Sequence, residues 1–330
     1  MDGLNSLFEK CRNSVFNAET GQFLISKIGS SEQVKDLSVP PNCDGYGRIR
    51  HFKRFIADDW GTDPLPIDPA IKALRLSYID IIKAQVFQIA SCNLHCWYCF
   101  VPDSLKCAND NNSNWFTAQG IIDLFKKSDS VAKVIDLSGG NPELVPEWVL
   151  HTMKALDKTE LTNEVYLWSD DTLTTDYTFK FLSPDDITYM KSYKNYGKVC
   201  CFKGFDAHSF SFNTKLPENF YNRQFEIFSK YLELGLDLYG YVTFTTDNID
   251  GLEDNMCAFI NKLRQCHPLL PLRVVPLKIV KFSPTQSRIN PTYEEALINQ
   301  LIVYKEWRKQ LQATYSIKQL NDNICDIPLY

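Results

Sequence analysis

Three thiols lie close together in Ser91-Cys92-Asn93-Leu94-His95-Cys96-Trp97-Tyr98-Cys99-Phe100, at the spacing Cys92-x3-Cys96-x2-Cys99. A loop this tight has no room for a folded element between the sulfurs, so all three thiolates are free to converge on one soft metal centre. Three protein ligands leave one position open. For zinc that marks a catalytic site, and for a cubane iron–sulfur cluster it leaves one iron to bind something other than protein. A second stretch, Ser138-Gly139-Gly140-Asn141-Pro142-Glu143-Leu144, closes an apolar run, and its paired glycines let backbone approach a ligand. Taken one at a time, the plainer readings are a structural zinc loop completed by Cys107 and an ordinary strand-to-helix turn.

Cys92, Cys96 and Cys99, with Tyr98 just before the last cysteine, resemble the cluster loop of the radical S-adenosylmethionine (AdoMet) superfamily, and Ser138-Gly139-Gly140-Asn141-Pro142 resembles its Gly-Gly-Glu-Pro turn. The resemblance implies that the three cysteines hold a [4Fe-4S] cluster and that S-adenosyl-L-methionine is the second cofactor. It implies an enzyme that cleaves AdoMet reductively to methionine and a 5′-deoxyadenosyl radical. That radical takes a hydrogen atom from a small-molecule, peptide or protein substrate, and a flavodoxin or ferredoxin supplies the electron. Tyr98, Ser138, Gly139, Gly140 and Asn141 inherit cofactor-positioning roles. Asn141 stands where the family usually carries Glu, so an amide carbonyl replaces an acidic contact to the methionine ammonium. Lys203 is in a position similar to a lysine of the glycyl-radical activating-enzyme branch, which is kept as an alternative, as is a non-enzymatic iron–sulfur or zinc protein on the same scaffold.

These residues need elements that bring them to one place. Strand patterns at Ala84–Ala90, Val131–Leu137, Glu164–Trp168, Lys198–Phe202, Leu236–Thr245 and Leu272–Val280 alternate with helical ones. The helices carry stop and start signals at Thr117, Pro146, Ser183-Pro184, Pro217 and Gly235, and a capping-box spacing at Thr292 and Glu295. The rhythm predicts an α/β fold with parallel pairing, and the resemblance makes it a partial (β/α)6 TIM-like barrel. Residues 1–80 are expected as an N-terminal extension, 81–285 as the barrel core, and 286–330 as a C-terminal helix and tail packed on it. The cysteine loop, Ser138-Gly139-Gly140, Ser169, Asp170 and Lys203 all fall at strand ends of one rim, where chemistry sits in such folds. Ser169 and Asp170 are expected to hold the ribose hydroxyls or methionine end of AdoMet, or else to cap a helix. Lys203 either pairs with an anion of cofactor or substrate or snorkels to the surface. Adjacent Cys200 and Cys201 must point to opposite faces of their strand.

The 330 residues, 44% of them hydrophobic, suffice for a large core. A net charge of −5 provides no global basic field, which argues against a nucleic-acid partner. No apolar run reaches the roughly 20 residues needed to span a bilayer, and no signal peptide opens the chain, so a cytoplasmic protein with reduced thiols is expected. Cys257, Cys266 and Cys325 are scattered and suggest no second cluster. The run from Arg48 to Arg54 could meet an acidic substrate group or a peptide, but reads first as a solvated charged face, and Asp63 to Pro69 as a Pro-rich loop. The histidines show no ligand spacing. Nothing in the sequence selects among the substrate classes.

Overall fold

Strands and helices alternate through most of the chain in the computed structural model, which describes all residues except Met1 and Asp129. After a helix at Asp2–Asn13, the short strands β1 (Phe16–Asn17) and β2 (Gln22–Ser26) pair antiparallel. Next, β3 (Gly47–Lys53) pairs antiparallel with β4 (Ile81–Phe87) along its whole length. A later strand, β5 (Ser113–Thr117), joins β2 to complete a three-stranded sheet. The remaining strands, β6 (Val134–Leu137), β7 (Tyr166–Asp171), β8 (Tyr196–Phe202), β9 (Leu238–Thr243) and β10 (Val274–Leu277), follow β4 in parallel. The result is a curled, seven-stranded half-barrel of order β10-β9-β8-β7-β6-β4-β3.

Several local signals act as expected. Thr117 caps Ala118–Lys127 by accepting from the Gly120 N–H, Ser183 caps Pro184–Ser192, and Gly235 ends Arg223–Leu234 with φ 73°. Four expectations are corrected. The charged run at Arg48 is an edge strand of the half-barrel, because the guanidiniums of Arg48 and Arg50 lie over the rings of Phe100 and Phe52, Arg48 buried and Arg50 partly so. The Pro-rich loop is only half a loop, since Ile67–Leu74 is helical. Asn290, not Thr292, caps the long helix Pro291–Thr314: its side chain accepts from the Tyr293 N–H and Pro291 presets the first turn. Pro217 opens only a short 3-10 turn, Glu218–Phe220.

Successive strand residues point to opposite faces. On the outer face Ile135, Leu137, Leu167, Phe202 and Val242 join the core built with the helices. On the inner face Val134, Trp168, Val199, Tyr239 and Tyr241 pack with Leu65, Ile67 and Ala70 from the extension and with Ile324 and Cys325 from the C-terminal segment. Leu65 and Ile67 are fully buried there. Burying two such side chains contributes about 3–6 kcal/mol. This apolar plug fills the base of the half-barrel and leaves polar side chains toward the strands' C-terminal ends.

Candidate functional site

The chain leaves β4 and runs through the three cysteines as an irregular loop held by aromatic anchors. Trp97 is buried, donates through Nε1 to Asn213 Oδ1 at 3.1 Å and stacks on Tyr293 with ring centroids 4.4 Å apart. The Tyr98 hydroxyl lies 3.2 Å from Thr243 Oγ1 on β9. From the far end of the sheet, Arg288 donates to the carbonyls of Cys96, at 3.1 Å, and Cys99, at 2.6 Å. Burial pushes the Cys92 thiol up to about 12, and its neighbours Cys96 and Cys99 push the same way against Lys106. Cys96 is raised by burial too. Burial disfavours the charge on Lys106, yet Cys99, Cys92 and Asp103 outweigh it and hold that ammonium pKa above its usual value. Among the described residues no three His, Cys, Asp or Glu side chains are gathered into a finished metal-holding group. The loop therefore presents three soft donors and a buried cation in one neighbourhood without packing the sulfurs around a point. That donor set fits a cubane cluster, whose thiolate charge Lys106 would offset.

The glycine turn lies against the entrance to this loop. Gly139 and Gly140 have φ 94° and 68°, and a Cβ on Gly140 would come within 2.2 Å of the Ile89 carbonyl and 2.6 Å of that of Ser91. Only glycine allows both the backbone angle and the approach. Asn141 is fully buried; its N–H donates to the Ser91 carbonyl at 2.8 Å, its Nδ2 to Asn93 Oδ1 at 2.7 Å, and its Oδ1 accepts from the Glu143 N–H at 3.3 Å. Its side chain thus joins the turn to the cysteine loop, with both polar atoms engaged inside the protein. Two residues on, Glu143 is buried in an ion pair with Lys198 and accepts from the Thr178 and Tyr231 hydroxyls at 2.8 and 3.0 Å. Asp171 Oδ2 lies 3.5 Å from the same ammonium.

On the inner face, Ser138 Oγ donates to Asp170 Oδ2 at 2.6 Å. Lys203 shares that rim: burial opposes its charge, but Cys201, Tyr98, Cys96 and Asp170 raise its pKa well above the usual lysine value. The structure therefore brings Tyr98, Ser138, Asp170 and Lys203 together with the cysteines. Ser169 points to the outer face, 2.8 Å from the Tyr196 hydroxyl, as strand alternation requires of a neighbour of Asp170. Cys201 is inward and Cys200 outward. Sequence reasoning missed Asp136 beneath this rim, and it placed Arg48 and Arg50 there only as the lesser reading of a charged run. The signal for Asp136 was a lone carboxylate in the apolar run Val134-Ile135-Asp136-Leu137; for the arginines it was their period-2 placement with Phe52.

No helix among the described residues is long and apolar enough to cross a membrane. No curated protein sequence matches the chain. Among solved structures, the chain is similar to Streptococcus suis SuiB bound to precursor peptide SuiA and to the same protein bound to S-adenosylmethionine, each at 13% identity and TM-score 0.37, covering 54% of this chain and 36% of that one. It is also similar to a histidine-tagged anSMEcpe with bound AdoMet, at 14% identity and TM-score 0.35, covering 52% and 44%. The matched part thus spans less than half the length of these structures. Residues 82–196 match the family described as a 4Fe-4S single cluster domain, which bears out the iron–sulfur cofactor expected of this segment.

Proposed function

We propose that the chain is a radical AdoMet enzyme. The observation that carries this reading is the convergence, within a segment similar to a 4Fe-4S single cluster domain, of Cys92, Cys96 and Cys99 with a positive-φ glycine pair and a polar rim. The three thiolates would hold the cluster. When bound, cluster and AdoMet supply a 5′-deoxyadenosyl radical by reductive cleavage of the sulfonium. The protein's own part is to position and to exclude. Backbone at Gly139 and Gly140 and the Ser138–Asp170 pair offer acceptors and a hydroxyl for AdoMet amine and ribose groups. Lys203 offers a cation to a carboxylate. Tyr98, pinned to Thr243, walls the loop, and the apolar plug keeps solvent and competing hydrogen donors from the base of the half-barrel. The substrate class is a small molecule, a peptide or a protein side chain, and the electron donor a flavodoxin or ferredoxin.

Anaerobic reconstitution with iron and sulfide, then dithionite and AdoMet, tests the reading. Wild type should take up a four-iron cluster and release 5′-deoxyadenosine, while Cys92→Ala, Cys96→Ala and Cys99→Ala should each fail to do so. A cluster-loaded wild type that releases none would make this a non-enzymatic cluster protein. Iron loss in Cys107→Ala, with retention in one of the three loop variants, would show that the ligands are misassigned.

A further inference from the structure

Below the rim, the inner face of β3 and β6 carries polar groups that the protein leaves unanswered. Asp136 is 0% exposed, and among the described residues neither of its carboxylate oxygens accepts a hydrogen bond. Its nearest cation, Arg50, stops with Nη1 3.8 Å from Oδ2, beyond hydrogen-bond distance. Arg48 is 8% exposed, and its Nε is buried without an acceptor. Aromatic faces hold both guanidiniums instead, Arg48 5.1 Å from the Phe100 centroid and Arg50 3.9 Å from that of Phe52. A guanidinium stacked on its face keeps its edge N–H groups free for a planar acid. Strand register sets Arg48 and Asp136 level with each other on either side of Val86, and Arg50 is the cation nearest Asp136, so the orphan donors and acceptors line one stretch of the inner face. Buried polar atoms are nearly always answered, and a convergent set left unanswered marks a place for a ligand.

The signs decide what kind of ligand. A purely anionic guest would satisfy Arg48 and leave the Asp136 oxygens facing a second negative charge. A purely cationic guest would satisfy Asp136 and leave Arg48 buried with nothing to donate to. We propose that this is a recognition site for a small ligand of α-amino acid type, with its carboxylate on Arg48 and Arg50 and its ammonium on Asp136. Resting on the radical AdoMet reading, the ligand is the reacting substrate: Asp136 lies two residues before Ser138 on the same strand face, directly under the rim. Arg50, on the edge strand with its side chain 34% exposed, is the side from which such a guest enters.

Calorimetric titration of reconstituted, AdoMet-saturated protein tests this with two matched series: L-leucine, leucinamide and 4-methylpentanoate, and L-phenylalanine, phenylalaninamide and 3-phenylpropanoate. At least one amino acid should bind about tenfold or more tightly than either single-charge analogue of its series. Asp136→Asn and Arg48→Gln should each weaken it about tenfold, while AdoMet affinity stays within about twofold. Arg50→Gln, at the half-exposed edge, gives a third reading should a buried variant fail to fold. Binding of neither amino acid, equal binding by the variants, or a parallel loss of AdoMet affinity overturns the assignment. The same titrations on protein without cluster or AdoMet separate the two ideas. Variant-sensitive amino acid binding in a protein that never cleaves AdoMet would uphold the site and sink the enzyme reading alone.

Discussion

Asp136 shows how one residue links site and stability. Burial, then Asp170, raises its pKa to about 7 from 3.8, against the pull of Arg50 and Arg48. Between those values the folded protein keeps a proton that the unfolded chain has released. Stability contributed by this group is therefore full below about pH 4 and is lost as pH rises through about 7, on the order of a few kcal/mol. The urea midpoint of wild type should fall between pH 5 and pH 8, and that of Asp136→Asn should fall less; equal slopes would mean that Asp136 does not titrate in this window. Asn141 makes a second case. Exchange for the acid usual in the resembling family looks harmless from sequence, but the structure binds both amide atoms internally. Asn141→Ala should cost about 1–3 kcal/mol in chemical denaturation. Asn141→Glu should cost more, because a buried carboxylate would face Asn93 Oδ1 in place of a donor. The cysteines and glycines were legible because their chemistry depends on residue type and spacing. Asn141 was legible as a position and not as a role, since its partner Asn93 is set by tertiary packing.

Among elements, β6, β7 and β8 are tied on their outer side by Glu143, Asp171 and Lys198, a buried group that fixes the glycine turn to two strands at once. Removing one partner of a buried pair leaves an uncompensated charge, so Lys198→Met should destabilise by about 3–5 kcal/mol. The double variant Lys198→Met/Glu143→Leu should lose less than the two single variants summed, which a denaturant double-mutant cycle measures. Additive losses would mean that the two side chains act independently. The parallel strands were readable because each is an apolar run bounded by helix signals. Their C-terminal limits were less so: β7 runs on to Asp171, since Ser169 and Asp171 find buried partners on the outer face of β8. β3 was hidden because its inward residues are two arginines and a phenylalanine, and the ring that covers Arg48, that of Phe100, lies elsewhere in the chain.

At the scale of the whole molecule, the first eighty residues matter more than a cover would. They provide the edge strand β3, register-matched to β4 from Gly47 opposite Phe87 to Lys53 opposite Ile81, and the plug residues Leu65, Ile67 and Ala70. Deletion of residues 1–80 should therefore give aggregated protein or protein without a cooperative melt, read by light scattering and circular dichroism. A soluble, cooperatively melting truncation would show that the parallel strands suffice. The sequence could not reveal this, because partners so far apart leave no local pattern. The hold of Arg288 on the Cys96 and Cys99 carbonyls reaches further still, across 192 and 189 residues. During synthesis at about 5–20 residues per second, the cysteine loop waits roughly 10–40 s for the residue that clamps it. Ribosome-bound chains that end before Arg288 should then leave the loop cysteines open to thiol-alkylating reagents that the finished protein resists, which makes the last part of the chain the timekeeper for its earliest motif.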